Sequence, residues 1–409
     1  MASSMSTWYE KLVNERNTRS FTIDWSPDRN AQTSKNIPAR LVNLEKITFF
    51  DSRCSDISYL TSSRHLPPEF NFANLFTRSF HGIIKLTLSN MSITFENLRV
   101  LAIALRSLDE LRILRCSFNV QDTISSLVFS RLAKLKICSG QNTLATVSKL
   151  FYLTFSQLHT LELDCQSDTA EEQERTYEDI FSNCRSLKKM ILGSELFPSE
   201  ITSRTLNVIL LCLPQLEELC FSPVRTIDWP NRWNSTFLGQ HFFSDSLKKL
   251  HCSFLTKEDL HLISIKLRQL QELHVGTYDD GFDKVCTMDS VRKLSVLIFD
   301  GHRQQYTMRV PSAATAISHK MSKLKKLTFN DKRMSEIRFY YSIEKRLLEL
   351  EELHLFCDDR ACAFIDPLGI LSENCPKLVE VSVNGYNRKQ YLQVLRKNPP
   401  ESDKKNISS

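Results

Sequence analysis

Apolar residues recur along this chain at three fixed positions, numbered 0, 3 and 5, with mostly polar residues at positions 1, 2 and 4. The sets are Leu44/Ile47/Phe49, Ile83/Leu86/Leu88, Leu108/Leu111/Ile113, Leu132/Leu135/Ile137, Leu158/Leu161/Leu163, Leu187/Met190/Leu192 and Leu216/Leu219/Phe221. They continue as Leu247/Leu250/Cys252, Leu270/Leu273/Val275, Val291/Leu294/Val296, Leu324/Leu327/Phe329, Leu350/Leu353/Leu355 and Leu378/Val381/Val383. Positions 3 and 5 alternate as the same-face residues of a strand do. Between sets there is room for a helix, and residues 171–183 and 203–212 carry helical apolar spacing. One strand and one helix cannot bury their own apolar faces. Stacked side by side, such units form one continuous inner layer.

From Ile83 to Leu378 is 295 residues in 11 steps, about 27 per step, which is the period of leucine-rich repeats. The expected fold is therefore an α/β leucine-rich-repeat solenoid, a horseshoe with parallel strands on the concave face and helices on the convex face. Residues 41–395 form the repeat domain, of about 13 repeats. Residues 1–40 have no clear period and read as a partly irregular N-terminal cap, with a short helix at 5–15 docked by Trp8, Phe21 and Trp25. The polar end, residues 396–409, reads as a disordered tail. Two steps are long, Leu216 to Leu247 and Val291 to Leu324, and one is short, Leu270 to Val291.

Position 2 reads Lys46, Lys85, Glu110, Lys134, Thr160, Lys189, Glu218, Lys249, Glu272, Lys293, Lys326, Glu352 and Glu380. Nearly every residue is charged, as on a solvated face, and positions 2, 4 and 6 are expected to point away from the core. Such a row is either a screened surface ladder of little energetic consequence or a charge-patterned surface for a protein ligand. At position 4 the row holds Lys136 and Glu162, then Cys220, His251 and His274 on three successive repeats, with His354 further on. A single row does not converge as tetrahedral metal ligation requires, and nothing supplies an oxyanion hole for a cysteine nucleophile. The loop Trp229-Pro230-Asn231-Arg232-Trp233 places two tryptophans and an arginine in a polar setting, the residue types enriched at interface hot spots. The partner-binding candidates are thus Lys134, Lys136, Glu162, Lys189, Glu218, Trp229, Arg232, Trp233, Lys249, His251, Glu272, His274 and His354.

Composition narrows the chemistry. Only 9 of 409 residues are glycine, and the segment Gly276–Asp283 has the glycine spacing of a phosphate loop but Phe282-Asp283 where Lys-Ser/Thr is needed. No GxGxxG, HExxH or GxSxG is present. No catalytic residue, cofactor or metal is expected, and the protein is read as a non-enzyme. The net charge of +6, from 53 basic and 47 acidic residues, is too small and dispersed for a nucleic-acid footprint. The 12 cysteines show no paired spacing, the first residues lack an apolar signal core, and no stretch approaches a membrane span. The expected location is the cytoplasm or nucleus.

Two of those cysteines carry a resemblance. Asn183-Cys184 and Asn374-Cys375 each precede position 0 by the same spacing, within NCxxLxx and two further apolar positions, and Cys212 in CLPQL is a shifted variant. Cys116 stands at position 8 of its repeat, and Cys165 one place early. In this the chain resembles the cysteine-containing leucine-rich repeats of F-box proteins, over about residues 41–395. The resemblance implies the substrate-binding part of an SCF-type ubiquitin ligase receptor, which holds a protein substrate on the concave face while a Skp-type adaptor and a cullin scaffold present the charged enzyme. The F-box itself is not recognised. His65–Phe76 has its opening residues, but the strand at Ile83 leaves no room for the remaining helices. A ribonuclease-inhibitor-like regulatory scaffold and a nucleic-acid-associated repeat protein stand as alternatives.

Overall fold

The computed structural model describes residues 20–24, 45–50, 82–119, 126–166, 170–193, 200–223, 237–238, 243–277, 285–298, 311–335, 347–358, 371, 374–384 and 386–387. The helix expected at 5–15, the segment 65–76 and the tail lie outside them. The contacts gather into two compact units, residues 1–199 with 204–216, and 200–203 with 217–409.

The first unit contains strands β1 (Ser20–Asp24), β2 (Lys46–Phe50), β3 (Lys85–Ser89), β4 (Ser92–Thr94), β5 (Glu110–Leu114), β6 (Ser117–Asn119), β7 (Lys134–Thr143), β8 (Thr160–Gln166) and β9 (Lys189–Leu192). Helices α1 (Phe95–Ala104), α2 (Leu144–Phe151), α3 (Ala170–Asn183) and α4 (Ser203–Cys212) connect or follow them. Seven strands pair in the order β1-β2-β3-β5-β7-β8-β9, every pair parallel. β1 is a strand that the periodicity did not reveal; it adds to the edge of β2 with Phe21 opposite Ile47. β4 and β6 form a small parallel sheet of their own.

The second unit contains β10 (Glu200–Ile201), β11 (Glu218–Pro223), β12 (Lys249–Leu255), β13 (Glu272–Thr277), β14 (Lys293–Ile298), β15 (Lys326–Ser335), β16 (Glu352–Asp358), β17 (Glu380–Val383) and β18 (Tyr386–Asn387), with helices α5 (Lys257–Lys266) and α6 (Pro311–Lys320). β11 to β17 form a parallel ladder in chain order. β10 pairs with β11, and β18 turns back antiparallel on β17.

The apolar register of the sequence is the register of both ladders. Leu86, Leu111, Leu135, Leu161 and Met190 face one another across the first, and Leu219, Leu250, Leu273, Leu294, Leu327, Leu353 and Val381 across the second. All of these, and their partners at position 5, are at most 3% exposed. The backbone repeats the same step each time. The carbonyl at position 1 of one repeat accepts from the amides at positions 1 and 2 of the next, as Ile84 does from Asp109 and Glu110, or Lys248 from Gln271 and Glu272.

Position −3 is a corner. The amide at position 0 donates to its carbonyl, as Leu108 to Leu105, Leu158 to Phe155, Leu187 to Cys184, Leu270 to Leu267, Leu324 to Met321 and Leu378 to Cys375. Each corner side chain is buried. In CLPQL the corner is Leu213, not Cys212, which is half-exposed. Burial pushes the Cys184 and Cys375 thiols up to about 12, so these cysteines act as small apolar plugs.

The helices form on the opposite side of the strands from positions 2 and 4. The Thr94 hydroxyl caps α1 through the Asn97 amide at 3.2 Å, and Thr143 caps α2 through Thr146. α5 opens with a capping box between Thr256 and Asp259, whose buried carboxylate also takes the Leu238 amide at 2.7 Å. These helices bury Leu98 and Leu101, Val147 and Leu150, and Leu260 and Ile263. Residues 126–130 run beside α2, the Leu127 amide donating to the Leu150 carbonyl.

Cys184→Ala is expected to cost about 1–2 kcal/mol, a small cavity at the corner. Leu187→Asp, three residues on, buries an unpaired charge and is expected to cost at least about 4 kcal/mol or to unfold the unit. Urea unfolding followed by circular dichroism checks both, and equal losses would contradict the register.

Candidate ligand-binding face

The face of each sheet away from the helices is built by positions 2 and 4. In the first unit position 2 runs Lys46, Lys85, Glu110, Lys134, Thr160 and Lys189 on successive strands, and position 4 carries Thr87, Arg112, Lys136 and Glu162. Adjacent strands lie about 4.8 Å apart, so opposite charges on neighbouring repeats meet. Lys85 Nζ reaches Glu110 at 2.9 Å, and Arg112 donates to the same carboxylate. Partial burial opposes ionisation of Glu110, but the hydrogen bonds from Lys85 and Arg112 prevail and hold it below the usual carboxylate range. Lys136 and Glu162 pair directly. Lys134 turns instead to Asp109, at 3.2 Å. Lys189 sits half-buried at the end of the row.

In the second unit position 2 runs Glu218, Lys249, Glu272, Lys293, Lys326, Glu352 and Glu380, and position 4 runs Cys220, His251, His274, Ser295, Thr328, His354 and Ser382. Glu272 is its electrostatic hub, with Lys249 at 3.1 Å, Lys293 at 3.7 Å and His274 Nε2 at 2.7 Å. Partial burial would raise its carboxyl, but the hydrogen bonds from His274 and Lys249, with their charges, bring it down to about 2. Glu352 repeats the arrangement. It takes Lys326 at 2.6 Å and faces His354 Nε2 at 3.5 Å, while His354 Nδ1 bonds to Ser382 Oγ at 2.7 Å.

The row Cys220, His251, His274 is in register across β11, β12 and β13. The two imidazoles stack with centroids 5.3 Å apart and planes 27° apart, and Cys220 is only 4% exposed. Stacked rings in one row do not converge on a point. Among the described residues, no group of three or more His, Cys, Asp or Glu is placed to hold a metal. Of the candidate residues, Lys136 and Glu162 are brought together, as are Lys249, His251, Glu272 and His274, with Glu218 the register partner of Lys249; Lys134 lies on the same strand as Lys136, Lys189 on β9 and His354 on β16. Trp229, Arg232 and Trp233 lie outside the described residues.

Four residues that the sequence reading did not single out as binding candidates occupy the middle of the second face: Lys293, Ser295, Lys326 and Thr328. Their signal is in the sequence as Lys-Leu-Ser and Lys-Leu-Thr, flanked by two copies of Glu-Leu-His, at 272–274 and 352–354. It becomes visible only when the strands are laid side by side.

The fold is a leucine-rich-repeat solenoid. No protein-family model matches the chain, and no curated protein matches it. Among solved structures it is similar to a crystal structure of the yeast Rad7 and Elc1 complex, with TM-score 0.41 and 13% identity over 93% of this chain and 90% of that one. It is also similar to the TLR13–ssRNA13 complex, with TM-score 0.39 and 14% identity over 91% of this chain and 54% of that one. A third is the leucine-rich-repeat protein LegL7 of Legionella pneumophila, with TM-score 0.36 and 10% identity over 90% and 92%. The identities and scores are low, and the assignment of the fold rests on the strand registers above.

Glu272→Gln is expected to lower stability by no more than about 1 kcal/mol at pH 7, because the pair is half-exposed and screened. The Glu272 carboxyl lies below its ordinary value, so its contribution is complete above about pH 4.5 and is lost as pH falls toward about 2. The difference in melting temperature between wild type and variant should therefore shrink from pH 6 to pH 3. A constant difference would place the effect elsewhere.

Proposed function

We propose that this protein is a non-enzymatic protein-recognition module, and that it serves as the substrate-binding part of an SCF-type ubiquitin ligase receptor. The observation that carries the first half is the open face itself. Successive strands hold Lys, Glu, Arg and His in fixed register, half-buried and partly paired, in a pattern that a folded partner of complementary charge matches and a uniform surface does not. The same pattern argues against nucleic acid. Glu110, Glu218, Glu272, Glu352 and Glu380 interrupt the basic row, where a phosphate backbone needs a continuous positive track. Trp229, Arg232 and Trp233 are proposed to add contacts from their loop.

The second half rests on the resemblance of the cysteine-bearing repeats to those of F-box proteins. In this reading residues 41–395 hold the substrate, and a Skp-type adaptor and a cullin complete the ligase in the cytoplasm or nucleus. Among the described residues no helix is long and apolar enough to cross a membrane. A regulatory scaffold acting without a ligase uses the same face.

The test is affinity capture of the tagged full chain from cells after cross-linking. Co-recovery of a Skp-type adaptor with a cullin is expected, together with a protein ligand whose yield drops about tenfold, roughly 1.4 kcal/mol, on Lys136→Glu with Lys249→Glu. Ligand recovered without adaptor or cullin would replace the ligase reading by the scaffold. Binding to RNA or DNA that weakens steeply with salt, with no protein ligand, would overturn both.

A further inference from the structure

Large apolar side chains stand exposed at one edge of the first unit, where the chain enters three adjacent strands. The corner residues there are Leu105, Phe129 and Phe155, leading into β5, β7 and β8. Just ahead of these corners lie Ile103, Val128, Tyr152 and Leu153, each between 44% and 58% exposed. Each faces outward for a local reason. α1 turns Leu98 and Leu101 inward, so Ile103 emerges on its other side. Leu127 and Phe129 are buried, and Val128 between them points the other way. Tyr152 and Leu153 follow the last buried turn of α2.

The backbone beneath this row is tied down. The Leu127 amide donates to the Leu150 carbonyl at 2.8 Å, the Leu153 amide to Ser126 Oγ at 2.9 Å, and Thr154 Oγ1 to the Leu127 carbonyl at 2.8 Å. A partner therefore meets a preorganised row and does not have to order it on binding. At the corners the amides and carbonyls bond to one another, Leu108 to Leu105 and Leu158 to Phe155, which leaves them no ladder for an added strand. A helix, which satisfies its own backbone, is the element that fits.

The charge beside the row is one-sided. Arg106 follows the first corner, Arg131 lies two residues after the second, and Lys149 is in the last turn of α2. All three are exposed, and among the described residues none has an acidic partner. The open face of the same unit differs, since Lys85, Lys134 and Lys136 are each paired with a carboxylate. Glu96, at the other end of α1, is held by Arg99 at 2.7 Å. Uncompensated cations bordering exposed apolar side chains call for a partner with acidic flanks on an apolar stripe.

We propose that this edge, with Ile103, Val128, Tyr152 and Leu153 at its centre and Arg106, Arg131 and Lys149 beside them, is a second docking surface, for an acidic amphipathic helix of a partner protein. Apolar side chains spaced three and four residues apart along that helix lie on the row, and Asp or Glu next to them pair with the cations. The surface shares no residue with positions 2 and 4 of the open face.

The test uses the full chain and the fluorescein-labelled peptide Glu-Leu-Ala-Glu-Leu-Leu-Glu-Ala-Leu-Glu-Glu-Leu, read by fluorescence anisotropy. Its controls are a twin with lysine for every glutamate and a scrambled twin without the apolar stripe. The acidic peptide is expected to bind saturably, at least tenfold tighter than either twin. Val128→Asp with Leu153→Asp should weaken it at least tenfold without moving the melting temperature. Arg106→Glu with Arg131→Glu should weaken it as much and let the lysine twin bind better than the acidic peptide. Ile265→Asp, at an exposed apolar residue of the second unit, and Lys136→Glu with Lys249→Glu on the open face should leave it unchanged. Equal binding of the three peptides, or equal loss in either of those last two variants, would overturn the proposal. So would binding to phosphatidylserine vesicles without binding of the peptide, which would make the row a lipid contact.

Discussion

Everything in this molecule depends on one backbone step: a position-1 carbonyl receiving the amides of positions 1 and 2 in the next repeat. The step recurs from Glu45, which accepts from Ile84 and Lys85, to Glu351, which accepts from Val379 and Glu380. Within each unit it sets the repeat strands in parallel register, without slippage between positions 2 and 5. Because side chains alternate along a strand, a slip of one residue would turn the apolar set outward and the charged set inward. In the native register each of positions 0, 3 and 5 buries a side chain worth roughly 1.5–3 kcal/mol before chain entropy is subtracted. No strand does this alone, since its buried side chains rest on those of its neighbours.

The same constraint writes the chemistry of the open face. Once register is set, the residue at position 2 of one repeat must face position 2 of the next, whatever their charges. Where Lys meets Glu, as at Lys85 and Glu110 or Lys249 and Glu272, the encounter is discharged by an ion pair. Where Lys meets Lys, at 293 and 326, the charges are drawn to opposite sides and the middle is left with hydroxyls. A ladder that contributes little to stability therefore still has a pattern, and pattern is what a partner reads.

The cysteines show the converse, a chemically suggestive residue used for its shape. Cys184 and Cys375 occupy the corner that Leu105, Phe129, Phe155, Leu213, Leu267, Met288, Met321 and Leu347 occupy elsewhere. What the corner needs is apolar bulk under the turn and a carbonyl for the position-0 amide, and side chains from cysteine to phenylalanine meet it. Burial pushes these thiols up to about 12, so they remain protonated at neutral pH. Cys252 has gone further and stands in the strand row at position 5, between Phe221 and Val275.

The sequence by itself determined the repeat, its register and which residues form the buried rows, because a pattern used many times is legible even when each copy is weak; it did not show that Ile191 and Cys220, at position 4, would be buried too. It also placed α3 and α4 closely, since their apolar spacing spans whole helical turns. It did not reveal β1, whose Ser20–Asp24 has no neighbouring repeat of its own period and becomes a strand by pairing with β2. Nor did it reveal the β4–β6 sheet, which needs Asn90 and Arg115 at positive φ to redirect the chain after β3 and β5. Most of all, only the tertiary structure decided which charges meet. Lys293 and Lys326 are 33 residues apart along the chain, and Glu272 gathers two lysines and a histidine from three different strands. The period says that residues share a row, but pairing within the row is set by side-chain reach across it, which depends on the strand spacing and on every neighbour at once.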